Sequence, residues 1–154
     1  MKKLFLIAIL FALLPAGCAK TTQGYRGPAL PDAELATLAI TSTDKRLFLF
    51  IVQIDDLPIK VRPGDSLSCP AGEHTIQIKA QTEAYNELYF ADDSAVDPAG
   101  EEVLKERIEY KTIPFTVEPG RSYELDGRIW RNVVWTWITD VATGERLTGS
   151  DPKY

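Results

Sequence analysis

The segment Val61-Arg62-Pro63-Gly64-Asp65-Ser66-Leu67 recurs later in the chain as Val117-Glu118-Pro119-Gly120-Arg121-Ser122-Tyr123. Both have the form Val-x-Pro-Gly-x-Ser-apolar. Proline presets the backbone of the first central turn position and glycine accepts the positive φ of the second, so each reads as a type II turn joining two strands. Pro70-Ala71-Gly72 is a third turn of the same kind. Proline and glycine at these intervals break up helices. The repetition reads as one hairpin device used again, without duplication of a domain, and predicts short strands.

The stretches between the turns carry the strand period. In Glu73 to Ala80, His74, Ile76, Ile78 and Ala80 share one face while Thr75, Gln77 and Lys79 share the other. Leu38 to Thr41 and Leu47 to Ile54 are further strand candidates, and the second is apolar on both faces, which predicts a central strand. Asp55-Asp56 closes it as a turn, where adjacent carboxylates are ordinary turn chemistry. Ile113, Phe115 and Val117 alternate on one face with Pro114 on the other, so that strand is an edge or carries a bulge. Tyr123, Leu125 and Ile129 continue the inward parity. Asp97-Pro98 offers a helix start, and Glu101-Glu102 precede Lys105 and Arg107 in the order a helix dipole favours, so a short surface helix is expected over 98–107. The expected fold is all-β: an antiparallel β-sandwich, immunoglobulin-like or transthyretin-like, of about seven to nine strands.

At the N-terminus Lys2 and Lys3 precede an unbroken apolar run from Leu4 to Leu14. A transmembrane helix needs roughly 20 apolar residues, so this run fits a secretory signal that is removed. Its end, Leu14-Pro15-Ala16-Gly17-Cys18, resembles the bacterial lipobox. The resemblance implies that Cys18 becomes the first mature residue and is linked to diacylglycerol and acylated. With two or three chains such an anchor is stable. Pro15 stands where the lipobox usually has leucine, which leaves open cleavage after Ala19 and a soluble periplasmic protein. Because Ala19 is not aspartate, the resemblance implies the periplasmic face of the outer membrane. The expected organisation is a signal peptide (1–17), a lipidated cysteine and Gly/Pro-rich linker (18–34), and one sandwich domain (35–154).

Tyr25 to Leu38, YRGPALPDAELATL, resembles the opening of a group of small, largely uncharacterised proteobacterial lipoproteins with a Tyr-x-Gly-x-x-Leu-Pro-x-x-Glu pattern. The spacing of Trp137, Asp140, Thr143 and Gly144 resembles the same group, and PAGEHTIQIKA resembles the Pro-x-Gly-x-His strand of PEGA-type surface modules. These resemblances imply a small β domain of the cell envelope.

The formal charge of −5 becomes more negative when Lys2 and Lys3 leave with the signal, which disfavours nucleic acid and anionic lipid as partners. If Cys18 carries lipid, Cys69 is left without a partner and is expected to be buried. The single histidine, His74, is expected at the rim of the core, since no second histidine exists to complete a metal site. Asp92, Asp93 and Asp97 lack the spacing of a calcium loop. No cofactor, metal site or catalytic residue is expected. An enzyme would need acids such as Asp126 or Asp140 to converge in a pocket.

All three tryptophans, Trp130, Trp135 and Trp137, fall within WRNVVWTW. A core role is favoured for Trp135 and Trp137, because aromatics bury large areas in small β domains. Trp130 has the opposite parity to Tyr123, Leu125 and Ile129, and is the one expected to be exposed. The leading expectation is a membrane-anchored periplasmic lipoprotein that binds an envelope protein without catalysis, through a sheet edge at Pro114 or through the tryptophan hairpin. The alternatives are a glycan- or peptidoglycan-binding module that stacks sugars on Trp130, and an enzyme whose site the sequence does not reveal.

Overall fold

The computed structural model describes residues 19–86, 104–130 and 133–149. Cys18 and the signal segment, the acidic loop with Asp92, Asp93 and Asp97, and residues 98–103 of the expected helix lie outside them. The described residues form ten strands: β1 (Thr21–Gln23), β2 (Leu35–Ile40), β3 (Leu47–Ile54), β4 (Leu57–Val61), β5 (Ser66–Pro70), β6 (Gly72–Asn86), β7 (Leu104–Val117), β8 (Ser122–Trp130), β9 (Val133–Asp140) and β10 (Arg146–Gly149). A single turn of 3-10 helix, Asp32–Glu34, precedes β2.

The strands make an all-β sandwich. One sheet has the order β1-β5-β2-β8-β9-β10 and the other β4-β3-β6-β7. The smaller sheet is antiparallel throughout, whereas β1–β5 and β2–β8 pair in parallel in the larger. The inward faces interdigitate in one core: Ala36, Leu38 and Ile40 of β2 and Leu125 and Ile129 of β8 on one side, Leu49 and Ile51 of β3 and Ile76 and Ile78 of β6 on the other. Fully burying each such side chain is worth about 1.5–3 kcal/mol. The strand Leu47–Ile54 lies inside its sheet between β4 and β6, as its two apolar faces predict.

Three expectations change. Residues 104–107, expected at the end of a helix, belong to β7, which pairs along its length with the long strand β6. That pairing satisfies the backbone with a neighbour distant in sequence, which outweighs a local helix dipole. Thr21–Gln23, within the expected linker, forms β1 alongside Ser66–Ser68. Gly24 permits the approach, since a Cβ there would lie 2.6 Å from Leu67 Cδ1.

The third change concerns the Pro-Gly turns, which are not hairpins. The first leads from β4 in the small sheet to β5 in the large one, and the second from β7 to β8 in the same sense. Pro70-Ala71-Gly72 carries the chain back, from β5 to β6. Each is an arch across the sandwich. The reason lies in the flanks: Val61, Leu67, Val117 and Tyr123 are all buried between the sheets, so each turn must close over the core. A two-residue hairpin is made instead by Asp55-Asp56 between β3 and β4.

Candidate binding site

The tip of the β3–β4 hairpin is fastened to the start of β6. Asp55 has φ +48°, a left-handed conformation that aspartate tolerates better than most side chains. Its N–H donates to Thr75 O at 2.7 Å, and its Oδ1 accepts the Thr75 N–H at 2.9 Å. Its Oδ2 lies 2.9 Å from His74 Nδ1, and the other ring nitrogen, Nε2, lies 2.8 Å from Pro70 O. Both ring nitrogens face acceptors, and a doubly protonated ring donates to both at once. Burial pushes the Asp55 carboxyl up, but the His74 hydrogen bond, the Thr75 N–H and the His74 charge outweigh it and hold it below the usual value.

Asp55 and His74 form a wall shared by two open clefts. One, of about 690 Å³, runs past Glu73, Pro114 and Phe115 to Leu147 of β10. The other, of about 420 Å³, holds Tyr25, Arg26 and Asp56. Cys69, close by, is fully buried, and burial together with the Asp55 charge pushes its thiol up to about 12, so it stays protonated and inert. No cluster of three or more potential metal ligands occurs among the described residues.

The same fastening opens the edge of β7. Thr75 pairs with Pro114 across the β6–β7 ladder. Because both backbone groups of Thr75 are directed to Asp55, on the β3 side, the rung is a non-hydrogen-bonded one and Pro114 has no N–H to supply there. Alternation then turns the N–H and C=O groups of Ile108, Tyr110, Thr112 and Thr116 away from β6, and β7 is the last strand of its sheet. The side chains of Ile108 and Tyr110 are 48% and 62% exposed on that strand's outer face. β7 is held firmly from behind, where Lys111 Nζ donates to Val134 O of β9 and Arg107 pairs with Glu109. Burial pulls the Lys111 ammonium down from its usual value, with Glu109 opposing.

The tryptophans occupy the other side of the molecule. On β9, Val134 and Ile138 point into the core, which leaves Val133, Trp135 and Trp137 on the outer face of the large sheet. The core role favoured for Trp135 and Trp137 therefore does not hold between the sheets. Trp137 is nevertheless buried, because Arg146 of β10 lies over its ring at 4.8 Å from the centroid. Trp135 and Trp130 are half-buried on the same outer face, where Trp130 pairs with Val133 and Trp135 with Arg128. The indole N–H of Trp135 has no hydrogen-bond partner among the described residues.

Pro114 is exposed on an edge strand, as its parity predicts. Asp126 and Asp140 do not converge. Asp126 accepts the Thr43 N–H at 3.0 Å, while Asp140 caps the β9–β10 turn by accepting the N–H groups of Ala142 and Thr143. They pair with Trp137 and Tyr123 respectively, on opposite faces of the β8–β9 ladder. Sequence reasoning missed Ile108 and Tyr110, whose alternation with Thr112 was hidden by the helix expected over 98–107. It also missed the fastening role of Asp55, for which the lone histidine near an Asp-Asp turn was the available signal.

Comparison of the chain with models of protein families, with curated proteins and with solved structures finds no match in any of the three.

Proposed function

We propose that the protein is a lipid-anchored periplasmic lipoprotein of the outer membrane, acting without catalysis as a binding module for another envelope protein. Cys18 is the anchor in this reading, on the strength of the lipobox resemblance. The partner contributes an extended segment that adds to the free edge of β7. The single observation that carries the reading is the open edge itself, where Ile108 and Tyr110 are exposed beside outward-facing backbone groups. A long edge with exposed apolar side chains is a template for another strand.

The test is photo-crosslinking in living cells from probes at Tyr110, Pro114 and Trp130 of the full chain. A reproducible protein adduct from Tyr110, absent from Trp130, is the expected result. Silence at Tyr110 from a folded and abundant protein overturns the reading.

The tryptophan face favours a second reading, a glycan-binding module, because Trp130 and Trp135 are only half-buried beside Arg146. That reading expects muropeptides to shift tryptophan emission, with the shift lost in Trp130→Ala.

A further inference from the structure

The outward rungs of β7 complement themselves. The inference drawn from this rests on the free-edge reading above and names the occupant of that edge. Ile108, Tyr110 and Thr112 hold their backbone groups outward, so two antiparallel copies related by a two-fold axis can set these residues against one another. With the axis at Tyr110, Tyr110 meets Tyr110 of the second copy, Ile108 meets Thr112, and Glu109 meets Lys111 on both sides of the axis. Moving the axis to Glu109 sets that carboxylate against itself and Lys111 against Arg107. Moving it to Lys111 sets two ammonium groups against each other. Opposite charges directly across a ladder stabilise it and like charges destabilise it, so charge selects the Tyr110 register.

The rest of the edge agrees with that choice. Pro114, which has no N–H to donate, falls outside the three rungs. Leu147 and Thr148 of β10 lie beside Pro114 and Thr116, across the larger cleft, and leave Ile108 to Thr112 uncovered. We infer that two copies of this chain pair through β7, antiparallel about Tyr110, and join their four-stranded sheets into one continuous sheet. Three rungs bury less than the roughly 1,200–2,000 Å² of a stable interface, so the pairing is weak and is populated where copies are concentrated on one surface.

Cysteine substitution in the full chain, in the membranes of the expressing cells, reads the register directly. Residues facing each other in a hydrogen-bonded rung have Cα atoms about 5.5 Å apart, within the span of a disulfide. Under mild oxidation Tyr110→Cys is expected to give a band at twice the mass of the chain by itself. Ile108→Cys and Thr112→Cys are expected to give it only when the two are co-expressed, and Thr116→Cys not at all. The unaltered chain sets the background from Cys18 and Cys69. Absence of the Tyr110→Cys band, or bands from Ile108→Cys alone, overturns the pairing. A photo-crosslinker at Tyr110 separates the two failures. Adducts only with a different protein sink self-pairing and leave the free edge as a binding site, whereas no adduct from a folded chain sinks both.

Discussion

The two Pro-Gly arches share a sequence pattern and hold opposite ends of the same strand, yet they are fastened differently. At the first, the Gly64 N–H donates to Ile40 O at 3.4 Å and the Ile40 N–H to Asp65 O at 3.3 Å. At the second, the Gly120 N–H donates to Leu35 O at 2.8 Å and the Thr37 N–H to Arg121 O at 2.9 Å. The second adds side-chain bonds: Tyr123 Oη accepts the Glu118 N–H at 2.9 Å, and Arg121 reaches Glu118 at 3.1 Å and Asp140 at 3.6 Å. In the first arch the position of Tyr123 is taken by Leu67, which contributes packing alone. One arch is therefore held by apolar burial, and the other by burial joined to polar and charged contacts.

The largest expected effect separates the two apolar positions. Leu67→Ala removes a fully buried side chain and is expected to cost about 2–5 kcal/mol of unfolding free energy. Tyr123→Phe keeps the ring and removes only the hydroxyl acceptor, at a cost of about 1 kcal/mol, since the exposed Glu118 N–H can turn to water. Urea unfolding of both variants measures the difference, and equal losses would mean that the arches are not held as described.

Replacing the glycines should erase the contrast. Gly64 and Gly120 have φ of +86° and +70°, so Gly64→Ala and Gly120→Ala each force an L-residue into the left-handed region. Each is expected to cost about 1–2 kcal/mol. The two losses should add in the double variant, because the turns lie at opposite ends of β2 and share no side-chain contact. Non-additivity in the same unfolding experiment would show that β2 transmits strain from one arch to the other.

The smallest effect is the most selective. The Thr143 N–H lowers the Asp140 pKa most; burial opposes it, and the Ala142 N–H and Arg121 add to the lowering, leaving it below its ordinary 3.8. A carboxylate depressed in this way lends stability that is complete above the unfolded value and drains away as the pH falls through the folded one. The second arch should therefore loosen in acid before the first. Amide hydrogen exchange between about pH 5 and pH 3 should show protection falling at Gly120 and Thr37 while Gly64 and Ile40 keep theirs. Equal losses at both ends of β2 would remove Asp140 as the cause.

Much of this architecture was legible in the residues. The alternation of His74 with Ile76 and Ile78, the interior position of Leu47–Ile54, the Asp55-Asp56 turn and the edge placement of Pro114 all follow from side-chain period and turn chemistry. The tryptophan hairpin was legible in parity but not in direction. Bulk drew Trp135 and Trp137 toward the core, yet the core position opposite Gly127 belongs to Thr136. A Cβ at Gly127 would stand 2.7 Å from Trp135 O and 3.1 Å from Leu47, so the sheets approach too closely there for an indole. The candidate edge was half legible: Pro114 marked it, but Ile108 and Tyr110 became its apolar contacts only once residues 104–107 proved to be strand.

By itself the sequence determined where the chain bends and which side chains share a face, because proline, glycine and the two-residue period act within a few bonds. Only the tertiary structure decided which sheet each strand joins. Backbone pairing is nearly indifferent to side-chain identity, so whether a Pro-Gly turn folds back as a hairpin or crosses over as an arch depends on the core that its flanking residues share with distant strands. That same choice left β7 at an edge and made its outward rungs available.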